Sequence, residues 1–248
     1  MRPYKTEAVV LREWDFGEAD KILILYAPNR GKIHAIAKGV RKPRSRMRGG
    51  VQLFCHADFF LYQGKSLDTI TQVVLKEAFR NIRGDLDKLA HASYLVELLE
   101  SVATEKPGNP ELFGLLLAGL HLLTGDDPDL AVRFFEVRLL ELWGYQPRLT
   151  GCVQCGVERV AESWCFSMSF GGLLCPHCQG GDTSALKIAP DVLAVWRSLS
   201  KTELTKLFRL KVTRSTRTQL AEILQLYYRH HLEKDLKTVA FIRQLKSY

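Results

Sequence analysis

The 248-residue sequence lacks any apolar run long enough to cross a membrane. Its longest candidate, residues 112–123, is interrupted by Gly114, Gly119 and His121 and is shorter than the ~20 residues that a spanning helix needs. Residues 1–20 carry charged side chains throughout and no uninterrupted apolar region, so we expect no secretion signal. These absences argue against a membrane protein and predict a cytoplasmic location.

The sequence also lacks the common motifs of enzymes. It contains no GxxxxGK[ST] loop or GxGxxG loop for a nucleotide, no GxSxG elbow and no HExxH motif. Three acidic residues around Pro128, at positions 126, 127 and 129, are typical of a helix start rather than of a metal site. We therefore predict that the protein is not an enzyme.

The composition is that of a folded domain with an uneven charge. Hydrophobic residues make up 46% and charged residues 25%, which excludes wholesale disorder. The net charge is +8, but it is +7 over residues 1–80, −7 over 81–186 and +8 over 187–248. Two basic ends around an acidic middle indicate that parts of the molecule, rather than its whole surface, bind a polyanion.

The first 80 residues have the pattern of short β-strands. Residues 22–26 are apolar, residues 32–38 alternate between apolar and polar, and residues 51–62 form a long β-prone stretch followed by a return strand over 67–75. Alternation predicts that odd-numbered residues from Val51 to Leu61 share one face. Five short strands in about 75 residues predict a small barrel of the OB type.

The period changes to that of helices after residue 80. Asp85 and Asp127 are predicted N-caps, Pro110 and Pro128 suit first helical positions, and Gly144 suits a helix end. Ser200 and Glu203 have the spacing of a capping box, and residues 214–232 form an amphipathic helix with Leu220, Leu224 and Tyr227 inward. The fold class is therefore α+β, with domains at 1–80 and 81–248.

Four cysteines form two CxxC pairs that are typical of zinc sites. The first pair is Cys152 and Cys155, the second is Cys175 and Cys178, and 19 residues separate them. Two thiolates on each of two tight turns can occupy the four corners of a tetrahedron. This spacing predicts a structural Zn²⁺ module, at residues 149–183, inserted in the helical domain.

Other interpretations of the cysteines stay open. The pairs could be redox-active or simply buried, and His177 could replace one ligand. A catalytic zinc is disfavoured because four cysteine ligands leave no position for water. Cys55 and Cys165 have no partner at ligand spacing, and Cys55 is predicted to fill the barrel core.

A second motif is the basic loop, residues 38–50. It holds six cations between positions 38 and 48, and no acidic residue occurs between Asp20 and Asp58. Such a loop on a barrel can follow a phosphate backbone without reading bases, although charge runs are often no more than solvated surface. The predicted DNA-binding residues are Lys38, Arg41, Lys42, Arg44, Arg46 and Arg48.

Weaker candidates for nucleic-acid contacts accompany the basic loop. Phe54, Phe60 and Tyr62 could stack on bases, although core packing is the competing role. Basic residues also populate the C-terminal region, where the wet faces of helices are an equally good explanation: Lys201, Lys206, Arg209, Lys211, Arg214, Arg217 and Arg229.

The chain resembles the RecO family of bacterial recombinational repair proteins. The resemblance rests on one N-terminal frame that contains Ala8-Val9-Val10-Leu11, Gly17-Glu18-Ala19-Asp20, Arg30-Gly31-Lys32-Ile33, Ala37-Lys38-Gly39-Val40-Arg41-Lys42-Pro43 and Ser45. It continues less specifically through the helical middle and the cysteine region. It implies an OB domain, a helical domain and a zinc module, with the DNA role on the six cations and the zinc role on the four cysteines.

The same resemblance implies a function and partners. RecO proteins bind single- and double-stranded DNA and anneal complementary strands, including strands coated with single-stranded-DNA-binding protein. With RecR, and in some contexts RecF, they assist the loading of RecA, in the cytoplasm and at the nucleoid. The alternatives are a zinc-dependent nucleic-acid-processing enzyme and a protein-binding adaptor without DNA affinity.

Overall fold

The computed structural model describes residues 2–158 and 164–245 of the chain and has an α+β fold. Residues 159–163 of the predicted zinc module and residues 246–248 lie outside the described part. The chain divides into two compact units, one extending to Asp126 and including residues 241–245, the other from Asp127 to Ala240. No helix of the described part is both long and apolar enough to span a membrane.

The first unit begins with five strands that close into a barrel. They are β1 (Pro3–Phe16), β2 (Asp20–Ala27), β3 (Gly31–Ala37), β4 (His56–Tyr62) and β5 (Asp68–Glu77). The order around the barrel is β1-β2-β3-β5-β4, with β4 pairing back to β1. All neighbours are antiparallel except β3 and β5. Closure removes free sheet edges and brings both ends of the basic loop, which joins β3 to β4, to the barrel.

The barrel core follows from strand alternation. Ile33, Ala35 and Ala37 of β3 and Phe59 and Leu61 of β4 are buried in one apolar cluster. Small alanines let the strands approach closely, and the larger side chains fill the interior. The predicted apolar face of β4 is confirmed over residues 57–61.

The prediction that β4 begins at Val51 is wrong, since the strand begins at His56. Residues 51–55 form turns, and Phe54 takes a left-handed conformation with φ 65°. Its N–H donates to Val10 O at 2.8 Å, and its side chain has no exposed surface. The same apolar residues that suggest a strand are here used to close the barrel, which excludes Phe54 as a base-stacking residue.

The first unit continues with α1 (Arg80–Arg83), α2 (Leu86–Val102) and α3 (Pro110–Leu123). Asp85 caps α2 as predicted, because its carboxylate accepts the N–H groups of Asp87 and Lys88. Asn109 caps α3 in the same way, and Pro110 occupies the first turn. These local caps fix where each helix starts.

The second unit contains helices and a small sheet. The helices are α4 (Pro128–Trp143), α5 (Pro190–Lys201), α6 (Arg214–Leu232) and α7 (Lys237–Leu245), the last reaching into residues of the first unit. The strands are β6 (Arg148–Cys152), β7 (Trp164–Ser167), β8 (Gly172–Leu174) and β9 (Leu186–Ile188), in the order β6-β8-β7-β9. The predicted cap at Asp127, helix end at Gly144 and inward face of α6 are confirmed.

The predicted capping box at Ser200 and Glu203 is wrong. Ser200 lies inside α5, and its hydroxyl donates to the carbonyl of Trp196, one turn earlier. The chain leaves α5 at Thr202, and residues 204–209 form a short 3-10 helix without a side-chain cap. A serine three residues before a glutamate occurs at the end of a helix as well as at its start.

A buried ion pair joins two residues of α4. Arg133 is 7% exposed and Glu136 is fully buried, with Arg133 Nη1 2.9 Å from Glu136 Oε2. Arg133→Ala would leave the Glu136 carboxylate buried without that guanidinium, so we expect a loss of about 3–5 kcal/mol. Urea unfolding followed by tryptophan fluorescence measures it, since three of the four tryptophans lie in this unit.

The control for this ion pair removes both charges together. Arg133→Met combined with Glu136→Leu keeps apolar volume and should cost much less than Arg133→Ala alone. Equal losses in the two variants would mean that lost packing, rather than an uncompensated charge, causes the effect.

Candidate nucleic-acid interface and metal centre

The basic loop presents its cations to solvent. All six predicted DNA-binding side chains are exposed: Lys38, Arg41, Lys42, Arg44, Arg46 and Arg48. Within residues 2–158 and 164–245, Arg41 alone among them has an ion-pair partner. Five cations are therefore available to a polyanion at this end of the barrel.

Apolar side chains and turns hold the basic loop against the barrel. Val40 and Val51 are each 1% exposed within the barrel core, and Met47 packs against the same core. Between these anchors the backbone turns, with Ser45 N–H donating to Lys42 O at 3.0 Å and Gly50 N–H to Met47 O at 3.0 Å. The loop is thus a series of turns: its apolar side chains are buried against the barrel, and its basic side chains are exposed to solvent.

The start of the basic loop is also tied to the hairpin between β1 and β2. Gly39 N–H donates to Asp20 Oδ1 at 2.7 Å, and Arg41 N–H donates to Ala19 O at 2.9 Å. The Arg41 guanidinium lies 3.2 Å from Asp15 Oδ2. Arg41 therefore has a positioning role as well as a charge.

The four paired cysteines lie together in the second unit. The sulfurs of Cys152, Cys155, Cys175 and Cys178 are all within 4.8 Å of one another, and those of Cys155 and Cys175 are 3.6 Å apart. Four thiolates 2.3 Å from one zinc ion would be about 3.8 Å apart at tetrahedral corners. The donor set and its spacing therefore fit a structural metal site.

Two tight turns position the sulfurs. Cys152 ends β6, and Gly156 N–H donates back to Cys152 O at 3.0 Å with φ 80° at the glycine. Cys175 follows β8, and Cys178 N–H donates to Cys175 O at 2.9 Å. Because β6 and β8 are neighbours in the sheet, the two turns meet at one end of it.

The thiols share their protons unevenly. Burial alone would raise the pKa of Cys152, but backbone N–H groups of Cys155, Cys175 and Gln154 outweigh it and lower that pKa to about 6. Desolvation, and then hydrogen bonds with the other three sulfurs, raise the pKa of Cys178 to about 12. Without a cation, the four neighbouring thiols cannot all be ionised, because the negative charges would repel one another. A bound metal cation would neutralise these charges and let all four sulfurs ionise.

The remaining candidates for ligands stand apart from the four sulfurs. His177 is exposed and its ring is not among the clustered ligand atoms. Cys165 is buried on β7, where its thiol donates to Gln179 Oε1 at 3.3 Å. Cys55 is buried in the barrel core, as predicted.

The basic C-terminal residues are divided between two roles. Arg217 forms an ion pair with Asp127 at 2.5 Å, next to the start of α4, and is structural. Arg197, Lys201, Lys206 and Arg209 line an open cavity of about 570 Å³, in which Lys206 is paired with Glu203 at 2.9 Å. The predicted nucleic-acid contacts of this region are therefore restricted to those cations that have no ion-pair partner among the described residues.

Sequence reasoning missed two aromatic residues near the basic loop. Trp14 is 43% and Phe16 is 50% exposed, both at the end of β1. Of the predicted aromatics, Tyr62 is also exposed, whereas Phe60 is half-buried with Lys5 Nζ 5.4 Å from its ring centre. In the sequence, two aromatic residues just before the glycine turn at Gly17 were the pattern that could have indicated them.

Comparison with known proteins gives one consistent result. The family described as "Recombination protein O N terminal" matches residues 1–79, and "Recombination protein O C terminal" matches residues 83–240. A protein named "DNA repair protein RecO" from Desulforamulus reducens is 42% identical over 99% of this chain and 96% of its own length.

Two further relatives carry the same name. The protein from Alkaliphilus metalliredigens is 40% identical over 93% of this chain and 94% of its own length. The protein from Moorella thermoacetica is 35% identical over 98% of this chain and 91% of its own length. The family matches cover both parts of the chain, and the similarity to each relative extends over nearly the whole length of that relative. The chain therefore belongs to the RecO family.

Proposed function

We propose that this protein acts in DNA repair and recombination as a non-enzymatic mediator that binds single- and double-stranded DNA and anneals complementary strands. The observation that carries the proposal is the set of exposed cations that the basic loop holds at one end of a closed barrel. The relatives named DNA repair protein RecO support the repair context.

The barrel is proposed to be of the OB type. Support comes from its five strands, its closed order β1-β2-β3-β5-β4 and the single parallel pair between β3 and β5. The domain division at residue 80, with a helical domain over 81–248, stays a prediction beside the observed units that divide at residue 126.

Cys152, Cys155, Cys175 and Cys178 are proposed to hold a structural Zn²⁺. When bound, zinc would neutralise the thiolates and link the turn after β6 to the turn after β8. The protein's own contribution is the backbone N–H groups that favour ionised sulfur and the β6–β8 pairing that brings the turns together. The fit of four thiolates disfavours a hydrolytic zinc, which needs an open position.

Annealing in this proposal is an electrostatic effect of the loop. Two strands repel each other through their phosphates, and arginine forks that bind both reduce this repulsion so that base pairing can proceed. Lys38, Lys42, Arg44, Arg46 and Arg48 supply the charge, and Arg41 fixes the loop on the hairpin. No nucleotide is consumed.

The resemblance to RecO also supplies the proposed partners and location. They are RecR, single-stranded-DNA-binding protein and, indirectly, RecF and RecA, in the cytoplasm at the nucleoid. The exposed cations of the basic loop support contact with DNA in such an assembly.

A salt series tests the proposal. We expect a fluorescent single-stranded oligonucleotide to bind with a log–log salt slope near −3.5, the value for about five phosphate contacts, and complementary strands to anneal faster without nucleotide. Absent or salt-independent binding would favour the adaptor. Turnover of the nucleic acid that a chelator abolishes would favour the zinc-dependent enzyme.

A further inference from the structure

The hairpin between β1 and β2 carries two large exposed aromatic side chains. Trp14 and Phe16 are two residues apart on β1, so both lie on one face of the ribbon. Their register partners on β2 are Ile22 and Asp20. At the tip, Gly17 is in open space, since a Cβ placed there would meet no atom within 4 Å. The aromatic face is therefore accessible from its end.

On the opposite face of the same hairpin, charged side chains pair with one cation of the basic loop. Lys21 pairs with Glu13 at 2.7 Å and with Asp15 at 3.3 Å, and Asp15 in turn pairs with Arg41. One short ribbon thus has anchored cations on one face and free aromatic rings on the other. A flexible polymer passing around its tip would contact both.

The acidic residues of the hairpin are largely engaged. Asp15 is paired with Lys21 and Arg41, and Asp20 accepts the N–H of Gly39. Glu18 is exposed at the tip and has no ion-pair partner within residues 2–158 and 164–245. The hairpin itself therefore has no excess of positive charge, and the cations available to a polyanion are the unpaired ones of the neighbouring basic loop.

The spacing of the two rings favours unpaired bases over the stacked bases of a duplex. Side chains two residues apart on a strand are about 6.8 Å apart. Bases stacked within a duplex follow each other at about 3.4 Å and present no free face. Two rings at twice that spacing match a strand whose bases have separated, so that each ring contacts one base.

We propose that Trp14 and Phe16 form a stacking site for the unpaired bases of a single strand whose phosphates lie on the basic loop. The inference rests on the proposed function and makes it more specific, since it names the residues that distinguish single strands from duplex. The unpaired cations of the basic loop favour a polyanionic occupant, and cations beside exposed rings are the combination that sequence-independent single-strand sites use.

The test compares single-stranded and duplex oligonucleotides of equal charge. Trp14→Ala with Phe16→Ala should weaken single-strand binding by about tenfold per ring and leave duplex affinity and the salt slope unchanged. Phe170→Ala with Phe241→Ala removes two similarly exposed rings, 48% and 42% exposed, and should change neither. The circular dichroism spectrum and thermal midpoint of each variant verify folding.

Tryptophan fluorescence gives a second, direct readout. Trp14 is the one exposed tryptophan among the four, all of which are described. An oligothymidylate should quench its emission on binding. Trp14→Phe should keep the affinity, because phenylalanine also stacks, but abolish most of the quenching.

The outcomes separate two failures. If wild-type protein binds neither oligonucleotide, the proposed function fails. If it binds single strands but the double alanine variant binds them equally well, this inference alone is overturned. Quenching by an acidic peptide containing phenylalanine, with none by oligothymidylate, would overturn it in favour of a protein-docking surface.

Discussion

If the proposed zinc site is correct, replacing Cys175 by serine is expected to unfold the sheet of β6–β9 and to abolish zinc binding. Cys175 is 1% exposed, and its sulfur lies within 4.8 Å of the other three. Structural zinc supplies about 10–16 kcal/mol of apparent binding free energy in small zinc modules. That exceeds what a sheet with strands of only three to five residues gains from its own packing. Metal content by mass spectrometry and limited proteolysis of residues 148–188 would measure the loss.

Cys165→Ser is the matched control. Cys165 is buried in the same apolar cluster and on the same sheet, but its sulfur is outside the ligand set. We expect this variant to keep one zinc per chain and to lose only a small part of its stability. Metal retention and protease resistance in Cys175→Ser equal to those of wild type would contradict the zinc site. So would a wild-type protein purified without chelators that contains no metal.

The elements that sequence predicts well are those with local causes. Asp85 and Asp127 accept N–H groups of the residues just after them, so the cap and the helix start are read from neighbouring positions. The cysteine cluster is also predictable, because each CxxC turn positions its own pair of sulfurs. For the four cysteines, sequence spacing and spatial proximity agree.

The errors have a nonlocal cause. The apolar residues between Val51 and Cys55 have strand character, yet they close the barrel through a left-handed Phe54 that hydrogen-bonds to Val10, 44 positions earlier. Nothing in the alternation indicates that contact. Trp14 and Phe16 were not predicted as exposed aromatic residues for a related reason. The periodicity of a strand does not show how far a hairpin extends beyond the adjacent strands of the sheet.

Neutralising the basic loop should remove most of the salt dependence of DNA binding. The variant changes Lys42, Arg44, Arg46 and Arg48 to glutamine and spares Arg41, whose ion pair with Asp15 fixes the loop. Removing four of about five phosphate contacts changes the single-strand slope from about −3.5 to about −0.7. Between 50 and 200 mM salt, affinity should then fall about 3-fold instead of about 130-fold.

A second quadruple variant separates position from total charge. Arg2, Lys65, Arg80 and Lys106 are exposed in the same unit, and their change to glutamine removes the same four charges. If net charge alone attracts DNA, both variants lose affinity equally and the loop is not the site. If the loop is the site, the second variant keeps the wild-type slope and annealing rate. Because the apolar side chains of Val40, Met47 and Val51 hold the loop against the barrel core, four of its six exposed cations can be removed without disturbing the barrel. A loss of slope in the loop variant alone would therefore identify the phosphate-binding surface.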